Sequence, residues 1–342
     1  MSNSTVPRSR TEAQKKSPAV PDGTTGPEKK IPSGKVSLRL RFRRDRVLLL
    51  MVLPAVLLLL VFNYLPILGN VVAFQEYDPY ISDNGIVSIL HSPWVGLENF
   101  ERIFADSDFW NAVQNTLILF FFQLVLFFPI PILLALLINS VVRPRVRAVS
   151  QAILYLPHFF SWVLVVAVFQ QLFGGAGIFS QLLREHGYDG LDFMTDPDTF
   201  AVLITAQSVW KDAGWGIIVF LAALASVSPD LYEAAAMDGA GRWRRMWHVT
   251  LPALRPVIAL LLVLRVGDAL TVGFEQILLQ RDMVGPGAAE VLDTFVWWNG
   301  VRNQDFGYAA AAGLVKGVVS LGLVLAANKV AHLMGEQGVY KK

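Results

Sequence analysis

The sequence predicts an all-α polytopic membrane protein with six transmembrane helices and both termini in the cytoplasm. Three observations carry that prediction. The chain is 54% hydrophobic and only 16% charged over 342 residues, too little charge for a soluble domain of that size. Six apolar runs are each long enough to cross ~30 Å of hydrocarbon, which takes about 20 residues. The loops between them alternate in charge.

The chain opens with a polar tail, residues 1–46, rich in Pro, Ser, Gly and Lys. With so little apolar surface to bury, it is expected to be disordered up to about Val36. It ends in Arg39, Arg41, Arg43, Arg44 and Arg46, read either as an anchor on anionic lipid or as a plain topology signal. The tail is too long, and the apolar run after it too extended, for a cleaved signal peptide.

The spans fall at roughly 47–75, 109–142, 148–174, 199–226, 256–280 and 308–334. The first, with its outer loop, occupies 47–108. The other five spans occupy 109–334, and a short tail, 335–342, follows. The second span lacks Asp, Glu, Lys and Arg from Trp110 to Val142, and Pro129 and Pro131 allow a kink in it.

Basic residues mark the N-terminal tail, the loop after span two (Arg143, Arg145, Arg147), the loop after span four (Arg242, Arg244, Arg245, Arg255) and the C-terminus (Lys341, Lys342). The other loops are acid-rich: Glu76, Asp78, Asp83, Glu98, Glu101, Asp106 and Asp108; then Glu185, Asp189, Asp192, Asp196 and Asp198; then Asp282, Glu290, Asp293 and Asp305. Because basic loops stay inside, the segment between spans four and five is expected to face the cytoplasm.

That segment, 229–256, reads PDLYEAAAMDGAGRWRRMWHVTLPALRP. Ser228 is placed to cap a helix that starts at Pro229, with Asp230 at the positive end of its dipole. Asp238-Gly239 ends that helix, since Gly accepts the left-handed turn. Gly241–Val249 reads as a second short helix with Trp243 and Trp247 one turn apart, and Pro252 and Pro256 are expected to break and restart the chain. Two short helices between membrane spans are a docking element for a partner.

Glu233-Ala234-Ala235, Asp238-Gly239-Ala240 and Thr250-Leu251-Pro252, in that order and spacing, resemble the EAA loop of permease subunits of binding-protein-dependent ATP-binding-cassette importers. Met246 stands where relatives often carry an aromatic residue, and Met also fills an apolar cleft. Trp94–Phe100 resembles the Gly-Leu-x-Asn-aromatic element that precedes span two in sugar permeases, and Asn115-Thr116 the start of their membrane region. Val272–Leu278, Val291–Val296 and Ala326–Lys329 look like the LplB-type branch, associated with oligosaccharide and polysaccharide-fragment uptake.

The resemblance implies a type I importer permease fold (MetI-like) in the bacterial plasma membrane. It implies a second homologous permease subunit, an ATPase dimer, an extracellular solute-binding protein, a sugar substrate and membrane lipid as partners, with no nucleic acid. It implies coupling to the ATPase through Glu233, Ala234, Ala235, Asp238, Gly239, Ala240, Trp243, Met246, Leu251 and Pro252. This chain would bind no cofactor; ATP and Mg would sit on the partner ATPase, as no Walker-type phosphate loop occurs here.

Polar residues within spans are costly, a central charge by about 2.5–3.5 kcal/mol on the insertion scale. Trp210, Lys211 and Asp212 lie in span four, Arg265, Asp268, Glu275 and Gln276 in span five, and Lys316 in span six. Two readings stay open. Trp210, Lys211, Asp268, Phe274, Glu275 and Gln276 line a path for a hydroxylated substrate, or the charges pair between helices, as Arg265 and Asp268 could within one helix.

Two other classes fit less well. An ion-coupled secondary transporter would leave the EAA-like loop unexplained, and no internal repeat is visible. An intramembrane enzyme has no support from the scattered His91, His158, His186, His248 and His332, and neither H-E-x-x-H nor G-x-S-x-G occurs. An importer of a non-sugar solute shares the architecture. With no cysteine, disulfides and thiol chemistry are absent.

Overall fold

The computed structural model describes residues 46–333. The expectations for the tail before Arg46 and for residues 335–342 lie outside these residues. Six helical stretches among them are long and apolar enough to cross a membrane. No strand forms among them beyond an isolated antiparallel bridge between Gln75 and Trp94.

The chain divides into two units, the first ending at Asn63 and the second running from Tyr64. The described part of the first unit is helical throughout, and Pro54 lies within its helix. This is most of α1, whose whole span is Arg46–Phe74. Its residues are apolar on every face, the pattern of a lipid-embedded helix.

The second unit continues with the end of α1, then α2 (Gly85–His91), α3 (Glu98–Ala105), α4 (Ser107–Asn139), α5 (Pro144–Tyr155), α6 (Trp162–Phe173), α7 (Ile178–Glu185) and α8 (Phe200–Ala225). After these come α9 (Pro229–Met237), α10 (Arg242–Gly267), α11 (Phe274–Leu278), α12 (Arg281–Val284), α13 (Pro286–Ala289), α14 (Leu292–Trp297) and α15 (Phe306–Leu333).

Helix α8 is the most buried of the six candidate spans. Ile217, Phe220, Leu221 and Leu224 on it pack with Ala135 and Ile138 of α4 and Leu254 of α10. Nearer its start, Phe200 and Ile204 pack with Leu119, Val272, Ile277 and Val291. Gly214 permits one close approach: a Cβ there would lie 1.9 Å from the Leu154 carbonyl oxygen. A second core joins Ala73, Ile103, Phe109, Leu292, Phe295 and Tyr308.

Segments singled out in the sequence tie these layers together. Asn99, buried, donates to the carbonyls of Ala73 (3.0 Å) and Gln75 (3.1 Å), fixing α3 to the end of α1. Asn115 donates to the carbonyls of Gly287 (2.9 Å) and Glu290 (3.0 Å), and the Thr116 hydroxyl accepts from the Leu292 amide at 2.9 Å.

Three helix boundaries differ from the sequence expectation. The third apolar run is not one helix. α5 ends in a 3-10 turn, Leu156–Phe159, and the chain restarts at Ser161, whose side chain accepts from the Leu164 amide. Pro157 removes a donor and Ser161 supplies a cap, so the break is local chemistry. The candidate span there runs instead over Trp162–Glu185, with a turn after Phe173.

Pro252 and Pro256 do not break the chain. α10 runs through both, with a π-helical stretch at Met246–Thr250 just before Pro252. The π turn absorbs the register change, and Pro252 then sits where a helix's first turn needs no donor. The same device, π-helical Gln123–Phe127, precedes Pro129 and Pro131 in α4. The fifth span also ends early, at Gly267, so Glu275 and Gln276 lie on the separate short helix α11.

Candidate functional site

At α9 the connection has the geometry read from its residues, whereas Gly241–Val249 is not a separate short helix but leads straight into α10. The Ser228 side chain accepts from the Asp230 amide at 3.3 Å, and Pro229 opens the helix. At the far end Gly239 has φ +73°, and the Ala240 amide reaches back to the Ala235 carbonyl at 2.9 Å. This left-handed closure admits Gly without strain and penalises any Cβ. Tyr232 and Thr250 share a hydroxyl–hydroxyl bond at 3.2 Å that fastens α9 to the start of α10.

Glu233, Ala234, Asp238, Gly239 and Trp243 are exposed, while Ala235, Ala240, Met246, Leu251 and Pro252 are half-buried. Four large apolar side chains stand out from this connection: Leu231, Met237, Trp243 and Trp247, with Met237 89% and Trp243 74% exposed. Such a cluster, beside Arg242, Arg244 and Arg245, is an exposed apolar patch of the kind found at protein or membrane contacts.

The intramembrane polar residues separate into two sets. Lys211 is buried, donates to the His158 carbonyl at 2.7 Å and lies 3.8 Å from Asp212. Its ammonium also sits 5.4 Å from the Trp162 ring centroid. Asp212 is 2.9 Å from His158 Nδ1, and the His158 ring stacks on Trp215 at 4.7 Å. This cluster closes the break between α5 and α6 against α8.

Gln276 is fully buried. Its amide donates to the Ile204 carbonyl (2.9 Å) and Gln207 Oε1 (2.8 Å) and accepts from the Ser208 hydroxyl (3.2 Å). Gln280 exchanges two 3.0 Å bonds with Gln207, completing an amide ladder between α8 and the α11 segment. In contrast, Trp210, Asp268, Phe274 and Glu275 are exposed. Arg265 does not pair with Asp268. Its guanidinium donates to Gln123 Oε1 and lies 5.6 Å from the Phe127 ring centroid.

Further pairs have no local pattern in the sequence. Arg281 and Glu290, both buried, form an ion pair with Nε at 2.7 Å, and the guanidinium lies 3.8 Å from the Trp298 ring centroid. Lys316 pairs with Asp293, Arg102 with Asp305 at 2.6 Å, and the Tyr308 hydroxyl donates to Asp106. Their partners are up to 203 residues apart in the chain, so only the fold brings them together.

A helical multi-pass bundle in which one capped, exposed helix, α9, leads from the most buried span into α10 has the form expected of a membrane-embedded transport subunit. The chain belongs to the family described as binding-protein-dependent transport system inner membrane component, which it matches over residues 127–331. It is 42% identical to the polygalacturonan/rhamnogalacturonan transport system permease protein YteP of Bacillus subtilis (strain 168), over 89% of this chain and 93% of that one. It is 40% identical to Protein LplB of the same organism, over 89% and 94%.

Among solved structures it is similar to a chain of the bacterial alginate ABC transporter in complex with alginate pentasaccharide-bound periplasmic protein. There the TM-score is 0.79 at 37% identity, over 88% of this chain and 99% of that one. The protein is a multi-pass membrane protein of the permease type and not itself an enzyme.

Proposed function

We propose that this chain is one of two permease subunits of an ATP-driven importer that takes up an oligosaccharide or polysaccharide fragment delivered by an extracellular solute-binding protein. The relatives named for polygalacturonan/rhamnogalacturonan and alginate transport support the substrate class. A second homologous permease shares the path. ATP and Mg bind the partner ATPase dimer, and both termini lie in the cytoplasm.

The observation that carries the reading is the exposed apolar and basic surface of α9 and the start of α10, beside the closure at Gly239. The ATPase covers it, with Trp243 and Met246 entering its cleft and Glu233 meeting a donor on its rim. When the ATPase closes on ATP, α9 is carried along. Leu251 and Pro252 pass the movement directly into α10, because that helix is continuous through both prolines. Trp210, Asp268, Phe274 and Glu275, exposed on this chain, line the substrate path, and Lys211 and Gln276 hold the helices that carry them.

The test is uptake in cells carrying the complete transporter, using a panel of trigalacturonate, maltotriose and an arabino-oligosaccharide. Gly239→Pro, which cannot adopt φ +73°, and Glu233→Lys are expected to abolish uptake at unchanged membrane abundance. Wild-type uptake of none of these sugars counts against the substrate class, and normal uptake by Gly239→Pro counts against coupling through this loop.

A further inference from the structure

An open cleft of about 530 Å³ lies where the end of α1, α14 and the first turns of α15 meet. That volume is within the usual range of small-molecule sites, about 300–1,000 Å³. Phe274, Trp297 and Phe306 form its aromatic walls, Asn70 and Asp293 its polar groups, and Gly313 part of its floor. Phe306 follows Asp305 directly and Asn70 precedes Glu76 by six positions, so the cavity sits at the end of the bundle that carries the acid-rich loops.

Two of its polar groups lack partners. Lys316 engages one oxygen of Asp293, while the other oxygen, Oδ2, is buried with no hydrogen bond. The Asn70 side chain makes no hydrogen bond among the described residues, and it is only half-buried. A wall facing lipid would leave both groups uncompensated in hydrocarbon, which is costly. A hydroxyl-bearing ligand in the opening satisfies Asn70 directly, and the enclosed Asp293 Oδ2 once its carboxylate turns.

Gly313 also lines the opening. Gly is a poor residue inside a helix, and a Cβ at this position would meet nothing within 4 Å. A side chain introduced there therefore adds bulk to the opening; Gly317 and Gly322 are equally open but lie outside it.

We propose that this cavity is a saccharide subsite on the outer half of the subunit, taking one sugar ring by its hydroxyls. It rests on the reading of the chain as a sugar permease. Lys316 cancels the Asp293 charge, so the pair presents a neutral acceptor. A small rotation of the carboxylate turns Oδ2 to a sugar hydroxyl while Oδ1 keeps Lys316. The Asn70 amide donates to or accepts from a second hydroxyl, and Trp297 covers the apolar face of the ring. A neutral ring, or the hydroxyl edge of an acidic one, fits this site, whereas a uronate carboxylate does not.

The chain contains no cysteine, so a single introduced thiol reports cleanly. In the assembled transporter, Gly313→Cys is expected to react with a charged, membrane-impermeant methanethiosulfonate. The reaction is expected to slow tenfold or more when trigalacturonate or maltotriose, whichever the wild type imports, is supplied with the binding protein. Reaction only with a lipid-soluble maleimide would place the cavity wall in lipid and overturn the proposal, as would labelling that the imported sugar leaves unchanged.

Gly313→Leu adds bulk where a Cβ meets nothing within 4 Å and is expected to raise the KM for uptake at least tenfold at unchanged membrane abundance. Trp297→Ala should do the same, and Trp297→Phe should restore uptake. An unchanged KM in Gly313→Leu also overturns the subsite. If Gly313→Leu fails to accumulate, the thiol experiment decides alone. If the wild type imports no sugar, the reading of the chain as a sugar permease fails instead, which separates the two outcomes.

Discussion

The Lys211 ammonium donates to the His158 carbonyl at 2.7 Å, so the middle of the fourth span is pinned to the proline-made break in the third. A lone cation in this position would be a substrate ligand by default. Here its one hydrogen bond is to a backbone carbonyl, and Asp212 at 3.8 Å and the Trp162 ring at 5.4 Å flank it, all within this chain.

Lys211→Met is therefore expected to act on stability first. It leaves the His158 carbonyl unpaired, a loss on the order of 1–3 kcal/mol. The thermal midpoint of the purified subunit complex in detergent should fall, with a smaller change in the KM for uptake. An unchanged midpoint with a strongly raised KM would return Lys211 to the substrate path.

Gln276 and Glu275 are neighbours in sequence with opposite surroundings. Gln276→Leu removes one rung of a fully buried amide ladder, takes one donor from Gln207 and one acceptor from Ser208, and should destabilise by about 1–3 kcal/mol. Glu275→Gln should leave the thermal midpoint where it is and change uptake kinetics. Equal effects of both on the midpoint would contradict the separation into packing and path residues.

Arg281 and Glu290 make a buried pair under the Trp298 ring. Arg281→Met alone leaves a buried carboxylate and is expected to cost about 3–5 kcal/mol. Adding Glu290→Leu should recover most of it, because the pair must also be desolvated when it forms. A thermal-melting double-mutant cycle measures the difference; additive losses would show that the two residues act separately.

Trp243 and Met237 are largely exposed on this chain, so Trp243→Ala and Met237→Ser should not alter its own melting. Both should weaken co-purification of the ATPase, Trp243→Ala the more, since aromatic anchors dominate such surfaces. Full ATPase recovery with both variants would remove this surface from the interface.

Much of the docking connection was legible locally. A Ser cap, a Pro at the first helical position and a Gly at the turn act through bonds a few residues long, so the bounds of α9 and its left-handed closure follow from neighbours in the chain. The break at Leu156–Ser161 had the same local chemistry, Pro157 followed by a capping Ser161, but an unbroken apolar run obscured it. The continuity of α10 through Pro252 and Pro256 was not legible, because a π turn is a backbone adjustment with no fixed residue signature.

Hydrophobic run length, summed along the chain, was enough to read six candidate spans, because transfer into lipid is additive over neighbouring residues. Which polar side chains meet was decided only by the tertiary structure. Asp293 finds Lys316, Gln276 finds Gln207, and Arg265 turns to Gln123 instead of to Asp268 one turn away. Those choices depend on how helices far apart in sequence are rotated against one another, and an unpaired charge in a low-dielectric interior is costly enough to take whichever partner that rotation supplies.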